Sequence, residues 1–249
     1  MSSRHAPRLY VEAGLDPGGA VELSTGQAHY LRAVLRLGPG ALVAAFNAVD
    51  GEWLCRIAEI GKNRVRLTVE RKVRSPAPEP DLWLLFAPIK RARLDWLVEK
   101  ATELGVSMLM PVWTARTQAE RLNLERLRAR AIEAAEQSER LSVPELRSPE
   151  ALGRVLAGWP AERRLIFCDE SGAGEPIGAA AARLPVGPVA LLIGPEGGFD
   201  QTELDALDKL SFVSRVGLGP RVLRAETAAL AALAVYQATA GDWRHTRSR

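Results

Sequence analysis

Two different spacings of apolar residues divide the chain. In the first third, short apolar and β-branched stretches alternate with turn residues, which predicts strands. These stretches are Leu9–Val11, Ala41–Phe46, Glu52–Ile60 and Arg64–Glu70. One amphipathic segment, Gly26–Leu37, predicts a helix among them. We therefore expect a small β-barrel with a single helix.

From residue 82 onward, strand-like and helical patterns alternate. The strand-like Leu82–Pro88, the amphipathic Leu94–Leu104 and the strand-like Met108–Trp113 form a βαβ unit, which predicts a parallel sheet. The alternation continues through a helix at Leu124–Arg140, strands at Leu165–Cys168 and Val189–Ile193, a helix from Gln201, a strand at Phe212–Val216 and a helix at Ala225–Ala240. This part of the chain is expected to be α/β, with helices covering both sheet faces.

The two patterns meet at a proline-rich stretch. Ser75–Pro80 has three prolines at alternate positions, and proline neither donates to a strand ladder nor continues a helix. A length of 249 residues also suits a small domain plus a medium one. We expect a first domain at 1–75, a linker at 76–80 and a second domain at 81–249.

Composition is that of an ordinary globular protein, with 47% apolar and 25% charged residues. The first residues lack the apolar stretch of a secretory signal, and no apolar run approaches the roughly 18 residues of a membrane span. We therefore expect a soluble, cytoplasmic protein without a membrane partner.

Positive charge is concentrated in the first third of the chain. Residues 1–75 hold 11 Lys and Arg against 7 Asp and Glu, whereas residues 76–249 hold 22 against 23. Such an excess attracts phosphate groups in a salt-sensitive way. A solvated basic surface without any partner explains it equally well.

Cysteine and histidine offer little chemistry. Cys55 and Cys168 lie far apart within apolar runs, where a thiol serves as a small hydrophobe. The histidines, His5, His29 and His245, show none of the spacings typical of zinc sites. We expect no disulfide and no metal.

A glycine-rich loop follows an apolar strand at Val189–Phe199, which reads VALLIGPEGGF. Glycines let the backbone approach a ligand, and open parallel sheets bind ligands at the carboxyl ends of their strands. A tight turn into a helix capped by Asp200 or Thr202 is the alternative. No Lys follows the glycines and their spacing is not GxGxxG, which argues against an ATPase loop and a dinucleotide fold.

A second glycine-rich loop lies at Val216–Ala228, VGLGPRVLRAETA. Strands carrying such loops are expected to be adjacent, so that both loops face one crevice. Arg224 stands where a helix begins and there opposes the helix dipole, which indicates an anionic or catalytic partner.

The two loops resemble the RsmE family of methyltransferases. The matching motifs are GPEGGF at 194–199 and LGxRxLRxETA at 218–228, together with stretches at Pro7–Tyr10, His29–Arg36, Leu94–Val106 and Glu133–Arg140. The resemblance extends over nearly all of the chain between residues 8 and 237. Members of this family methylate N3 of a uridine in small-subunit ribosomal RNA.

The resemblance implies a SPOUT-type α/β domain whose parallel sheet ends in a deep trefoil knot, preceded by a PUA-like RNA-binding β-barrel. It also implies S-adenosylmethionine as the cofactor, a homodimer, and small-subunit ribosomal RNA within the assembled subunit as the partner. The apolar helix at 225–240 suits burial at a subunit contact.

Site residues follow from the matching motifs. The expected cofactor contacts are Leu192, Ile193, Gly194, Glu196, Gly197, Gly198, Leu218, Gly219, Val222, Leu223, Arg224 and Thr227. The strand end Cys168–Glu170 is a weaker candidate, and Leu192, Val222 and Leu223 suit core packing as well. The expected RNA contacts are Arg8, His29, Arg32, Arg36, Lys90, Arg91 and Arg93, each of which would also suit a solvated surface.

Transfer of a methyl group to N3 of uracil requires loss of the N3 proton. A guanidinium beside O2 or O4 favours the charged form, and Arg224 and Arg116 are the candidates. Glu226 or Glu196 is the candidate proton acceptor. Two rival hypotheses remain: a SPOUT enzyme with a different target atom, and an RNA-binding assembly protein without activity.

Overall fold

The computed structural model describes residues 6–62, 64–118 and 121–244. The chain forms two compact units. The N-terminal unit comprises the residues up to Pro78 together with Ala135–Val143, and the C-terminal unit comprises Glu79–Ala134 and the residues from Pro144 onward. Each unit has a sheet of its own.

The N-terminal unit is a five-stranded, mostly antiparallel sheet. Its strands are β1 (Arg8–Tyr10), β2 (Ala20–Glu22), β3 (Leu42–Asn47), β4 (Gly51–Ile60) and β5 (Val65–Arg74). They lie in the order β1-β3-β4-β5-β2, and β1 alone pairs in parallel. Cys55 pairs with Val43 on one side and with Val69 on the other, and all three side chains are buried in the core. The sequence missed β2, which is only three residues long.

The predicted helix at Gly26–Leu37 is shorter than expected and changes its type. Helix α1 (Thr25–His29) is capped by Ser24, whose hydroxyl accepts from the backbone N–H of Gln27. The chain then widens into one π-helical turn at Tyr30–Val34, where the N–H of Leu35 bonds to the carbonyl of Tyr30. Only Ala28 and Leu31 of this region are fully buried, so a narrow apolar contact holds the helix on the sheet.

Arg8 joins β1 to the segment at Ala135–Val143 within the N-terminal unit. Its guanidinium donates to the carbonyl oxygens of Ala135 at 3.0 Å, Glu136 at 2.6 Å and Arg140 at 2.8 Å. It also donates to the carboxylate of Glu52 at 3.1 Å. The side chain is only 12% exposed. Arg8 is thus bound up within the unit rather than displayed on its surface.

The C-terminal unit alternates strands and helices. Its strands are β6 (Leu82–Phe86), β7 (Met108–Trp113), β8 (Glu145–Leu146), β9 (Glu150–Ala151), β10 (Arg164–Cys168), β11 (Glu175–Pro176), β12 (Val189–Ile193) and β13 (Val213–Gly217). Its helices are α2 (Arg91–Glu103), α3 (Leu124–Gln137, whose last residues belong to the N-terminal unit), α4 (Leu152–Ala157), α5 (Ile177–Arg183), α6 (Gln201–Asp208) and α7 (Ala225–Thr239), with a 3₁₀ turn at Asp242–Arg244.

All strand pairs of this unit are parallel, which confirms the predicted sheet type. The order is β11-β13-β10-β12-β6-β7-β8, and β9 pairs with the carboxyl end of β7. The expectation that β12 and β13 are neighbours is wrong, because β10 lies between them and pairs with both. The two glycine-rich loops therefore flank the end of β10.

Alternation along the central strands divides their side chains between two faces. Leu165, Phe167, Ala190 and Leu192 share one apolar core with Leu207 of α6. Helix α7 packs on β12 and also contacts α2 and α5. Leu192 therefore serves the core, the alternative that the sequence had left open for it.

The trefoil knot stays a prediction, because strand pairing does not trace how a chain threads. Among the described residues, no helix combines the length and the apolar character needed to cross a membrane.

Candidate functional site

A cavity of about 590 Å³ opens at the carboxyl ends of β10, β12 and β13. Three strand-end segments build it, namely 168–170, 193–196 and 218–223, and helix α7 adds Ala225 and Ala228. This is the place where open parallel sheets bind ligands.

Most of the expected cofactor residues line this cavity. Those that do are Ile193, Gly194, Glu196, Leu218, Gly219, Val222 and Leu223. The strand end Cys168–Glu170, the weaker candidate for cofactor contact in the sequence analysis, lines it too. Pro195, Arg221, Ala225 and Ala228 were missed, although all four lie within the motifs that pointed here.

Four expected residues lie beside the cavity rather than in its wall. Gly197 and Gly198 complete the turn after β12, while Arg224 and Thr227 are exposed where α7 begins. Arg224 occupies the N-cap position without a side-chain cap bond. No carboxylate of the described residues is seen to pair with it. Its guanidinium is thus available to a ligand.

The turn at Gly198 requires glycine. Its φ is +68°, a left-handed conformation that side chains rarely adopt. A Cβ placed there would stand 1.6 Å from Oε1 of Glu170. Glycine therefore allows the loop after β12 to approach the loop after β10 closely enough to share a cavity wall.

Helix α6 anchors the same loop. Asp200 accepts from the backbone N–H of Glu203 at 2.8 Å, and Glu203 reaches back to the N–H of Asp200 at 3.0 Å. This capping box confirms Asp200 as the helix cap. Glu203 also accepts from the N–H of Ala115 at 2.8 Å, and Arg116 donates to the carbonyl of Gly197 at 2.9 Å. Arg116 therefore supports the loop through its backbone.

The carboxylate of Asp169 is a fixed negative charge in the cavity wall. Arg215 donates to it at 2.9 Å, and the N–H of Ser171 does so at 3.1 Å. Burial acts to raise the pKa of Asp169, but the hydrogen bonds from Ser171 and the charge of Arg215 outweigh burial and lower it. Asp169 therefore stays ionised at neutral pH.

Cys168 contributes a thiol rather than a thiolate. Burial raises the pKa of Cys168 to about 12, so the group is neutral at physiological pH. A neutral, buried thiol is a poor nucleophile. The structure thus gives Cys168 a packing role in the cavity wall.

Glu226 is the buried carboxylate at the start of α7. Its side chain is 11% exposed, and its Oε1 lies 3.5 Å from Nε of Arg93. Its Oε2 is buried without a hydrogen-bond partner. A buried oxygen of this kind is costly unless a ligand or water satisfies it. The arrangement leaves one acceptor open, and the exposed Arg224 precedes Glu226 by two residues in the chain.

A second, open groove of about 1,660 Å³ borders the first residues of α2. Lys90, Arg91 and Arg121 line it, and all three are exposed. No carboxylate is seen paired with these three among the described residues. Glu196 lines both this groove and the cavity, so the two spaces meet at its side chain.

The remaining basic residues of interest lie in the N-terminal unit. His29 of α1 and Arg32 of the π-helical turn are exposed, and Arg36 is exposed two residues beyond the end of that turn. The structure places Arg8 differently, because Glu52 and three carbonyl groups engage its guanidinium. Only the first three therefore offer free basic groups to a partner.

Metal ions require a set of ligand side chains grouped around them. Within residues 6–62, 64–118 and 121–244, no three His, Cys, Asp or Glu side chains are grouped so that they could hold an ion. Both cysteines are free and buried.

Two family profiles match the chain. An RNA methyltransferase domain matches residues 76–237, and an RNA methyltransferase PUA domain matches residues 23–70. The second match agrees with the PUA-like character expected of the N-terminal unit.

Named relatives match the chain over almost its whole length. The chain is 33% identical to ribosomal RNA small subunit methyltransferase E of Rickettsia conorii, over 91% of this chain and 93% of the relative. A crystal structure of ribosomal RNA small subunit methyltransferase E from Neisseria gonorrhoeae, bound to S-adenosyl methionine, superposes with a TM-score of 0.85 at 27% identity, covering 96% of this chain and 100% of that one.

A methyltransferase from Legionella pneumophila in complex with the same cofactor superposes with a TM-score of 0.84 at 32% identity, covering 96% and 99% of the two chains. The two family matches and the near full-length similarity to these relatives lead to one assignment. The chain belongs to the ribosomal RNA small subunit methyltransferase E family.

Proposed function

We propose that this protein transfers a methyl group from S-adenosylmethionine to N3 of a uridine in small-subunit ribosomal RNA. The cavity at the ends of β10, β12 and β13 carries the proposal, because the family's motif loops form its walls. The names and bound cofactor of the relatives support the same reaction.

The residues present suit the cofactor. Ile193, Leu218, Val222 and Leu223 offer apolar surface to a flat adenine, and the glycine loops bring backbone donors and acceptors close to it. Three acidic side chains in the wall, Asp169, Glu170 and Glu196, suit a cationic ligand. Bound there, the cofactor supplies a methyl group on a sulfonium, whose departing sulfur keeps the electron pair of the broken S–C bond.

The proton on N3 goes to Glu226 in this mechanism. Its Oε2 is buried and has no partner within the described residues, so it is able to accept a hydrogen bond and then the proton from N3–H. Loss of that proton leaves a negative charge shared with O2 and O4 of the base. A proton accepted by Glu226 passes to solvent after the methyl group has moved.

Arg224 stabilises that developing charge in this mechanism. It is exposed at the N-terminus of α7, two residues before Glu226, and free of a carboxylate partner in the described chain. A guanidinium placed at a developing oxyanion contributes strongly to rate. Arg116 takes the lesser role of holding the cofactor loop through the carbonyl of Gly197. Thr227 is exposed in the first turn of α7.

RNA contact is assigned to two exposed basic surfaces. His29, Arg32 and Arg36 form the first, in the N-terminal unit, and Lys90 and Arg91 of the open groove form the second. Both would bind phosphates in a salt-dependent manner. The proposal includes a homodimer, the assembled small subunit as substrate, and action in the cytoplasm.

Incubation with labelled cofactor and small ribosomal subunits from a strain that lacks this methylation tests the reaction. Mass spectrometry of the digested RNA is expected to yield N3-methyluridine at a single site. Methylation of another atom would favour a different SPOUT specificity. Cofactor binding without any transfer would favour an inactive assembly protein.

A further inference from the structure

Arg93 of α2 stands between two carboxylates that come from distant parts of the C-terminal unit. Its Nη1 lies 3.8 Å from Oε1 of Glu196, in the loop after β12. Its Nε lies 3.5 Å from Oε1 of Glu226, at the start of α7. One guanidinium thus connects a cavity-wall residue to the buried carboxylate of α7.

The two carboxylate oxygens of Glu226 have different surroundings. Oε1 faces Arg93, whereas Oε2 is buried and has no hydrogen-bond partner. A buried carboxylate without a cation would be strongly destabilising. Arg93 therefore gives the buried Glu226 carboxylate a cationic partner at Oε1, and Oε2 is the oxygen that stays available.

Glu196, the second partner of Arg93, lies at the boundary between the cavity and the open groove. Glu196 lines both the cavity of about 590 Å³ and the open groove of about 1,660 Å³. Arg93 itself is about one-third exposed and lies next to the groove-lining Leu94 in the chain. Its ion pairs thus lie where a base entering from the groove would meet the cofactor cavity.

We propose that Arg93 is a positioning residue that orients the Glu226 carboxylate toward the target base. This role replaces the RNA contact that the sequence suggested for Arg93, and it rests on the proposed function. Oε1 of Glu226 stays on Arg93 while Oε2 takes the N3 proton. Glu196, held by the same guanidinium, stays at the mouth of the cofactor cavity.

Lys100→Ala is a closely matched control for Arg93→Ala. Lys100 lies on the same helix and also bridges two carboxylates, Glu99 and Glu103, each at 2.7 Å. Those partners lie on the helix surface outside the cavity and the groove. Lys100→Ala is expected to keep normal kinetics.

Steady-state kinetics with small subunits are expected to separate positioning from RNA binding. Arg93→Ala should lower kcat by at least 30-fold, with KM for the subunit and the cofactor Kd each within 3-fold of wild type. Arg93→Lys should recover a large part of kcat. A rise in KM at near-normal kcat would instead identify Arg93 as an RNA contact and overturn the inference.

Thermal unfolding tests the bridge without any catalytic assay. Arg93→Ala should lower Tm because it isolates a buried charge, and Glu226→Gln in the same chain should restore most of the loss. Additive effects of the two changes would overturn the bridge. This result stands apart from the reaction: if wild-type protein methylates no uridine, the proposed function fails while the Tm comparison still decides on the bridge.

Discussion

Replacing Arg8 with alanine should destabilise the N-terminal unit severely. The change removes three hydrogen bonds to the carbonyls of Ala135, Glu136 and Arg140, an ion pair with Glu52, and the stacking of the guanidinium 4.2 Å from the ring centre of Phe46. All of these contacts lie within one unit. No other single side chain described above has so many partners.

The magnitude follows from the geometry. Hydrogen bonds to a charged group contribute about 1.5–3 kcal/mol each, but they are not additive. Removing one partner of a buried ion pair costs about 3–5 kcal/mol. Glu52 keeps Arg74, whose Nε lies 3.1 Å away, so its charge is not left isolated. We therefore expect a loss near the lower limit, about 3 kcal/mol of unfolding free energy.

Urea unfolding measures this loss. Arg56→Ala is the matched control, because Arg56 pairs with Glu70 on the same sheet but is exposed, and such pairs contribute about 0–1 kcal/mol. Arg8→Lys should recover only part of the stability, since an ammonium lacks the planar fork of donors. A free energy within about 0.5 kcal/mol of wild type, combined with weaker RNA binding, would refute the structural role and restore the RNA contact that the sequence suggested.

Three further predictions concern the C-terminal unit. Glu226→Gln should lower kcat by roughly 100-fold or more, as expected for a general base, with unchanged cofactor affinity; near-normal turnover would exclude Glu226 as the proton acceptor. Gly198→Ala should raise the cofactor Kd at least 10-fold by calorimetry, because a side chain strains the backbone at a φ of +68°; unchanged affinity would mean that the turn adapts. Asp169, whose folded pKa is lowered, stabilises the protein above its ordinary pKa of about 3.9 and loses this effect as the pH falls through the folded value. Asp169→Asn should therefore flatten the acid limb of a stability–pH curve, and an unchanged limb would contradict the assignment.

Local patterns predicted the regular elements where apolar runs were long. Strand β12 matches its predicted bounds, Val189–Ile193, and β13 differs by one residue at each end. The short elements were missed, among them α4, α5 and β11, because two to seven residues give little periodicity. The π-helical turn at Tyr30–Val34 was missed for another reason, since its sequence pattern is that of a continuing α-helix.

Strand order and side-chain partners could not be read from local patterns. No local pattern in β10 predicts that this strand lies between β12 and β13, because strand order depends on how distant segments pair. The same holds for Arg8, whose partners lie up to 132 residues away, and for Arg93, whose partners follow it by more than 100 residues. The motif positions thus predicted where the cavity lies, whereas the contacts of individual arginines depend on the fold.

The insertion of β12 and β13 has a consequence for synthesis on the ribosome. Strand β12 enters between β6 and β10, and β13 enters between β10 and β11, so each is made after both of its neighbours. Until residue 217 has emerged from the ribosome, interior strands of the sheet still lack a neighbouring strand. Two of the three cavity segments are then either not yet made or without a neighbouring strand. A nascent or truncated chain is therefore expected to be unable to bind the methyl donor. Cofactor binding then reports that translation has reached the last helix.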